Sequence, residues 1–508
     1  MQNKFRHSKL ILGLLAASLC FQPAWPQTTL PSLGDGDGIS LAAERKLGDR
    51  IARELYRDPD YLEDPVLDEY IQRLWEPLVK SAAARGELSP ELQERFAWRI
   101  LLGRDRSVNA FALPGGYLGV HLGLIAVVTT HDELASVLAH ELSHVTQRHI
   151  ARSMGEQGKM TPWVIGSLIL GVLAASKSAQ GAQALIVGGQ AAAIQSQLSY
   201  SRDMEREADR VGFGVLSDAD YDPQGFVGMF GKLQQAAGLN DNGAYPYLRS
   251  HPLTTERIAD MQARLQLSTA PARKVVDVEQ AMLSARARVL SQGNVDAWRA
   301  STQTSQVNLP QATAATKAGI WYGATLAHMQ LKDFAAAERS LQNLERTVNG
   351  QSAPTRLAKL LRAEWAAAQH RWDTVVPLLA SPNQASKLGR PELIATAQAL
   401  LHLPPNPTRA DVQRQLREHV QAYPLDAQAW NTLASMLALE GQNLHALRAE
   451  GEAQMARMDW QGAIDRFRAA QDWAKTHTLQ AGDHIEASIV DTRLRLAQSL
   501  VREVQTER

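Results

Sequence analysis

The stretch His140-Glu141-Leu142-Ser143-His144 decides how the rest of the chain is interpreted. Thr130 and Glu133, upstream of it, have the spacing of a capping box, which predicts a helix from about residue 131 to about residue 150. Within that helix the apolar residues recur on one face: Leu134, Val137, Leu138, Leu142 and Val145. Since residues four apart lie one above the other on a helix, both histidines can present a ring nitrogen to one metal ion.

This spacing is typical of zinc hydrolases, in which the glutamate accepts a proton from the attacking water. Glu141 is therefore the candidate catalytic base, and His140 and His144 are candidate ligands of one zinc ion per chain. A motif with three fixed positions also occurs by chance. The alternative is two histidines that only form hydrogen bonds on a polar helix face, and further ligand-type residues distinguish the two interpretations.

A catalytic zinc usually takes a third protein ligand and leaves one position for water. The arrangement H-E-x-x-H-x-x-G-x-x-H is excluded, because Gln147 and Ile150 occupy its glycine and last histidine positions. His149 is out of register and is predicted to be a surface residue. A second helical stretch offers Glu205 as the third ligand and, one turn later, Asp209, which can accept a hydrogen bond from a ligand histidine.

Three motifs in this order resemble the zinc metallopeptidase family of the CaaX prenyl-protein endopeptidases and HtpX-type membrane proteases. They are Asn109-Ala110-Phe111-Ala112-Leu113-Pro114-Gly115-Gly116, the His140 to His144 stretch, and Glu205-Arg206-Glu207-Ala208-Asp209. The motifs cover residues from about 40 to about 260. With its secretory N-terminus and repeat-like second half, the chain is most similar to the periplasmic branch of that family.

The resemblance implies a zincin-type α+β domain with a small β-sheet and one bound zinc ion. Phe96 to Leu102 and Phe111 to Leu113 are the predicted strands. The second strand either pairs with an extended substrate backbone or is an ordinary hairpin beside the metal helix. His251 matches a histidine that approaches zinc as a displaceable fourth ligand in the periplasmic branch, whereas the sequence alone favours a surface loop residue, since Pro252 follows it.

The N-terminus has the composition of a secretory signal. Basic residues precede an apolar run at 10–20 that is too short for a stable membrane span. We predict a signal peptide over residues 1–27 and a periplasmic protein, soluble or peripheral at the outer membrane. The only cysteine, Cys20, lies in this segment, so the mature protein would have no disulfide or thiol chemistry. The net charge of zero argues against nucleic acid as a partner.

Thirteen apolar or small residues at 163–175 lie between the two ligand helices. As a helix they would rise ~20 Å, which is less than the ~30 Å hydrocarbon core of a bilayer. We therefore predict no membrane span here, in contrast to the integral membrane branches of the family. Two interpretations remain: a buried helix that covers the active site, and peripheral membrane contact through residues 163–193.

The second half of the chain has the pattern of helical repeats. Residues 327–337 and 453–463 share alanine, methionine, aspartate, an aromatic residue and alanine in register, and Trp372 marks a weaker copy. We predict a mostly α-helical protein with a metallopeptidase domain at 28–271 and a tetratricopeptide-like repeat domain at 272–508. Such repeats stack into a curved array with a concave binding surface. A plain helical bundle is the alternative.

These features predict a secreted zinc endopeptidase whose repeats recruit protein substrates. The resemblance implies that its partners are unfolded or misassembled outer-membrane proteins and the β-barrel assembly machinery. A chaperone or assembly factor with a mostly closed zinc site is the principal alternative. A membrane-peripheral protease that processes short peptides is a third interpretation.

Overall fold

The computed structural model of the chain describes residues 39–156, 200–238, 245–267, 277–303, 311–380 and 387–506. Elements are numbered here within these ranges. The first half contains α1 (Leu41–Arg57), β1 (Tyr61–Leu62), α2 (Pro65–Ala84), α3 (Pro90–Arg95), β2 (Arg99–Gly103), β3 (Ala110–Leu113), β4 (Tyr117–His121), α4 (Leu122–Val127), α5 (His131–Thr146), α6 (His149–Glu156), α7 (Arg202–Asp218), α8 (Gln224–Gly238), α9 (Tyr247–Ser250) and α10 (Thr255–Leu267).

Helices alone make up the described second half. They are α11 (Val278–Leu290), α12 (Val295–Gln303), α13 (Ala314–Gln330), α14 (Phe334–Val348), α15 (Ser352–Ala367), α16 (Trp372–Leu379), α17 (Arg390–Leu400), α18 (Pro407–Ala422), α19 (Ala427–Leu439), α20 (Asn443–Ala456), α21 (Trp460–Thr476) and α22 (Asp483–Thr506). The predicted fold class, a small sheet among helices followed by a helical array, is confirmed.

Four strands form one small sheet in the order β1-β2-β4-β3. β2 runs parallel to β4, while β1 and β3 are antiparallel to their neighbours. β3 is thus an edge strand, and it lies against α5. The sequence predicted β2 and β3 but neither β1 nor β4. Every residue of β4 is buried, so this strand lacks the apolar and polar alternation that marks a half-exposed strand.

The hairpin between β3 and β4 depends on two glycines. Gly115 and Gly116 have φ values of 72° and 84°, which side chains with a Cβ rarely adopt. A Cβ on Gly115 would also lie 2.8 Å from the Cα of Arg45 on α1. The hairpin therefore turns tightly and packs directly on α1.

The metal helix α5 begins where the sequence predicts. Thr130 accepts from the backbone N–H of Glu133, and the Glu133 side chain accepts in return, which completes the capping box. The helix ends at Thr146, earlier than the predicted residue 150, because Arg148 adopts a left-handed φ of 53° and the chain turns into α6. All residues of α5 after its first are buried, so the helix lies in the interior of the fold.

One hydrophobic core extends from the sheet-bearing half into the helical half. Its buried members include Leu74 on α2, Leu138 on α5, Leu283 on α11 and Leu326 on α13. The core therefore crosses the predicted boundary near residue 272. Further clusters hold α17 to α20 and the last helices together.

The helical half repeats one type of turn. Lys332, His370 and Met458 each adopt a left-handed φ, between 57° and 61°, two residues before the next helix. Asp333 and Asp459 follow and cap α14 and α21 through their side chains. These turns lie at the positions where residues 327–337, 453–463 and the Trp372 copy were aligned, so the sequence repeat corresponds to a structural repeat.

Four arginines of the second half, three on helices and one directly after α20, contact carboxylates of residues 63–69. The pairs are Arg286–Asp64, Arg356–Glu69, Arg390–Asp68 and Arg457–Glu63. In the most buried pair, Arg286 Nη2 lies 2.7 Å from Asp64 Oδ2, and the two side chains are 6% and 8% exposed. This row of ion pairs, called here the arginine seam, fixes the repeats against α2.

No helix in the described ranges is both long enough and apolar enough to cross a bilayer. The predicted signal peptide at 1–27 and the segment at 163–193 lie outside the described residues.

Candidate metal centre

Four ligand-type side chains converge below α5. His140 and His144 project from one face of α5, Glu205 comes from the first turn of α7, and His251 follows α9. Each has one ligand atom within 4.8 Å of those of the other three. All four residues are buried, with exposures of 2% or less.

The separations between these ligand atoms fit a tetrahedral metal ion. His140 Nε2 lies 3.0 Å from His144 Nε2 and 3.3 Å from His251 Nδ1. Glu205 Oε1 lies 3.0 Å from His251 Nδ1 and 3.4 Å from His144 Nε2. Ligands about 2.1 Å from a tetrahedral zinc are about 3.4 Å from one another. The donor set of nitrogen and carboxylate oxygen is also one that zinc takes.

Glu141 lies beside this cluster, as its position in the helix predicts. Its Oε2 accepts a hydrogen bond of 2.9 Å from the backbone N–H of Ala112 on the edge strand β3. Its Oε1 has no hydrogen-bond partner among the described residues and lies 3.5 Å from His251 Nε2. The carboxylate is thus held by one oxygen and directs the other toward the cluster.

Asp209 lies behind His140, on the face of α7 that carries Glu205. Its Oδ1 is 3.0 Å from His140 Nδ1. Arg257 donates to both carboxylate oxygens of Asp209, from Nε at 2.6 Å and Nη2 at 2.8 Å, and its Nη1 lies 2.6 Å from Glu205 Oε2. Arg257 could not be predicted from the sequence, because nothing distinguishes it from other arginines until α10 packs against α7.

The location of His149 differs from the sequence-based prediction, which was wrong. His149 was expected at the surface, yet it is fully buried, because the left-handed turn at Arg148 directs it back toward the cluster. Its Nδ1 lies 2.8 Å from His144 Nδ1. Its Nε2 lies 3.1 Å from Glu207 Oε2.

Aromatic rings enclose the loop histidine. Tyr247 stacks on His251 with ring centroids 4.5 Å apart, and Tyr200 stacks on His144 at 3.7 Å. Tyr200 also lies 5.4 Å from the His251 ring. These contacts hold His251 in the cluster and cover the metal ligands. No motif in the sequence marks either tyrosine.

The carboxylates dominate the electrostatics of the centre. Burial acts to lower the pKa of His140, but Asp209 and Glu205 raise it to about 10. Burial also acts to lower the pKa of His144. The hydrogen bond with Glu205 does not offset this effect, so the pKa lies well below its ordinary value. Burial also acts to raise the pKa of Glu205, yet His251, His140 and His144 lower it well below its ordinary value. Glu205 is thus an ionised carboxylate, whereas His140 would release a proton when its Nε2 binds a divalent cation.

Comparison with known proteins agrees with this geometry. A model of peptidase family M48 matches residues 65–265. The beta-barrel assembly-enhancing protease of Escherichia coli K12 is 32% identical over 67% of this chain and 69% of its own length. That of Yersinia pestis is 28% identical over 88% of both chains. The mitochondrial metalloendopeptidase OMA1 of Arabidopsis thaliana is 32% identical over 38% of this chain and 36% of its own length.

Proposed function

The chain belongs to peptidase family M48 and is a zinc metalloendopeptidase, and from this premise we propose its ligands, its catalytic base and its substrates. His140, His144 and Glu205 hold the zinc ion, and His251 takes the fourth position as a ligand that substrate displaces. The observation that carries this assignment is the set of separations between 3.0 and 3.4 Å among their ligand atoms. Asp209 fixes the ring of His140.

Glu141 is the general base and then the general acid. Zinc in this site supplies Lewis-acid chemistry, which activates water and polarises the scissile carbonyl. The hydrogen bond from Ala112 orients the Glu141 carboxylate through Oε2. Oε1 is then available to take the proton from water and to return it to the leaving amine. Because Ala112 belongs to the edge strand β3, the same strand can pair with an extended substrate and align its scissile bond with Glu141.

The site is closed around His251. Each ligand is 2% exposed or less, and Tyr200 and Tyr247 cover the rings. Displacement of the His251 loop by a substrate would free the fourth position on the metal, so the loop restrains the protease in the closed state.

We further propose that the substrates are outer-membrane β-barrel proteins that fail to assemble, and that the protein acts in the periplasm. The names of the Escherichia coli and Yersinia pestis relatives support this proposal. The metallopeptidase domain at 28–271 would carry the chemistry and the repeats at 272–508 would recruit substrates, since stacked helical repeats present an extended binding surface.

A chaperone or assembly role is the second candidate. The observation that favours it is the complete burial of the metal ligands, which leaves the repeats as the accessible binding surface. In this case proteolysis would be occasional, and client binding would continue without hydrolysis.

The test is substrate trapping with Glu141→Gln in periplasm. The expected result is that outer-membrane proteins remain bound to Glu141→Gln and are released or cleaved by the parent chain. Capture of the same set of proteins by a full-length chain with point substitutions on the exposed surface of the repeats would contradict the recruitment role. If Glu141→Gln restores outer-membrane assembly in cells that lack the parent, the chaperone role is the principal one; if it does not, hydrolysis is required.

A further inference from the structure

The ring of His144 has a second side, which faces away from the metal ligands. There its Nδ1 lies 2.8 Å from Nδ1 of His149, and Nε2 of His149 lies 3.1 Å from Glu207 Oε2. Glu207 also accepts from Arg152 Nη1 at 2.8 Å. Exposure increases along this series, from 0% for the His149 side chain to 27% for Glu207 and 47% for Arg152, so the contacts lead from the metal centre to the surface.

The direction of these hydrogen bonds follows from the chemistry of a ligand histidine. His144 needs the lone pair on Nε2 for the metal, so its Nδ1 carries the hydrogen. A contact between two Nδ1 atoms requires that the other one accepts, so His149 presents its lone pair at Nδ1 and carries its hydrogen on Nε2. That hydrogen is donated to the carboxylate of Glu207. With both imidazoles neutral, each donor in the series therefore has an acceptor only when His144 holds the metal-binding tautomer.

We propose that His149 and Glu207 are positioning residues, which fix the tautomer and the ring orientation of His144 for zinc. The inference rests on the proposed role of His144 as a ligand. The two ligand histidines then have separate supports, both anchored on α7. His140 contacts Asp209 directly, and that carboxylate is buried and paired with Arg257. His144 is supported through an intervening imidazole and a carboxylate near the surface.

The support of His144 should therefore be separable from the stability of the fold. Supports of this kind change metal affinity by about 10- to 100-fold when they are removed. Because Glu207 and Arg152 are partly exposed, loss of their ion pair should change the folding free energy little. A weaker zinc affinity in a chain with unchanged apo stability is then the specific signature of positioning.

The experiment measures the zinc dissociation constant of the full chain by competition with a chromophoric chelator. The visible spectrum of the Co²⁺-loaded chain serves as a second readout of ligand geometry. The variants are Glu207→Ala, His149→Phe and His149→Asn. The matched control is Glu256→Ala, which breaks another partly exposed ion pair of α7, with Arg206.

We expect about tenfold weaker zinc binding for Glu207→Ala and up to about 100-fold weaker binding for His149→Phe. His149→Asn should recover most of the affinity, because its amide oxygen can accept from His144 Nδ1. Glu256→Ala should match the parent. The Co²⁺ spectrum should change in His149→Phe, and the apo unfolding temperature of Glu207→Ala should equal that of the parent.

Zinc affinities of Glu207→Ala and His149→Phe within twofold of the parent, with an unchanged Co²⁺ spectrum, would overturn the inference while leaving the proposed function intact. An equal loss in His149→Asn and His149→Phe would also overturn it, since packing rather than hydrogen bonding would then be responsible. A parent chain that binds no zinc would instead overturn the proposed function itself.

Discussion

At the scale of single residues, burial explains why the ionisable side chains of the metal centre all contact one another. Ionisable side chains are rarely buried completely unless they are paired with one another or coordinate a metal. His140, His144, Glu205 and His251 satisfy this requirement by contacting each other, and Asp209 with Arg257 balances the charge behind them. A bound divalent cation would take the place of the contacts between their ligand atoms.

We expect His251→Ala to retain zinc and to cleave faster than the parent. Three ligands remain on the metal, while the ring that faces Glu141 Oε1 at 3.5 Å is gone and the fourth position is accessible to water. The measurement is turnover of an unfolded test protein, and of the chain itself, alongside zinc content. His477→Ala, a change at an exposed histidine that stacks on Trp473 in the helical half, is the control. Activity lost with zinc intact would make His251 a residue of the reaction instead.

We expect Asp209→Ala to weaken zinc binding by about 10- to 100-fold, because His140 loses the carboxylate that orients its ring. The affinity is measured by chelator competition. Asp260→Ala is the control, since Asp260 pairs with Arg264 at the surface of α10. Equal affinities for parent and Asp209→Ala would restrict Asp209 to a structural role with Arg257.

The side chains found from the sequence are those that a motif places on a helix. H-E-x-x-H and the Glu205 to Asp209 pair have a fixed spacing, and the chemistry of zinc requires that spacing. Arg257, Tyr200 and Tyr247 were not found, because their roles exist only once α10, the chain before α7 and α9 pack around the ligands. His149 was placed at the surface because its register in a continuous helix is wrong, and the turn at Arg148 changes that register.

At the scale of elements, the turns of the repeats carry conformational strain. Lys332 has a φ of 61°, and its side chain is exposed. Packing of the side chain therefore does not depend on this backbone conformation. The left-handed region costs a residue with a Cβ about 1 kcal/mol relative to glycine, and part of that difference is offset by the chain entropy of glycine.

We therefore expect Lys332→Gly to raise the free energy of unfolding by about 0.5 kcal/mol. Lys332→Ala keeps the strain and is the control, for which no gain is expected. Urea denaturation of both variants and the parent gives the comparison. If Lys332→Gly instead lost as much stability as a protein loses when glycine is placed inside a helix, Lys332 would not have the left-handed geometry of the turn.

The elements that the sequence predicted best are those with a periodic pattern or a cap. The start of α5 follows from its capping box, and the repeat turns follow from the aspartates that cap the next helix. β4 could not be predicted, because a wholly buried strand has no alternation to detect. β1 consists of two residues, Tyr61 and Leu62, and exists only by pairing with β2.

At the scale of the whole molecule, the repeats are fixed to the metallopeptidase half. The shared hydrophobic core and the arginine seam both connect α2 to the second half. Substrates recruited by the repeats would therefore be held at a defined position relative to the metal helix. Point substitutions in the seam are a better probe of this connection than truncation, which would expose the core residues that α11 covers on α4.

We expect Arg286→Ala to lower the free energy of unfolding by about 3–5 kcal/mol, because it leaves Asp64 buried without its counter-charge. Arg299→Ala, at an arginine with a 65% exposed side chain on α12, should change it by less than about 0.5 kcal/mol. Chemical denaturation monitored by tryptophan fluorescence measures both. An Arg286→Ala chain as stable as the parent would show that the seam does not hold the two halves together.

We propose that this chain cleaves peptide bonds with one zinc ion held by His140, His144 and Glu205 and with Glu141 as the base. The most direct test measures zinc per chain and turnover of an unfolded test protein for the parent, Glu141→Gln and Glu205→Ala. We expect one zinc and turnover for the parent, one zinc without turnover for Glu141→Gln, and loss of both for Glu205→Ala. Turnover by Glu141→Gln at the parental rate, or full zinc and activity in Glu205→Ala, would contradict it.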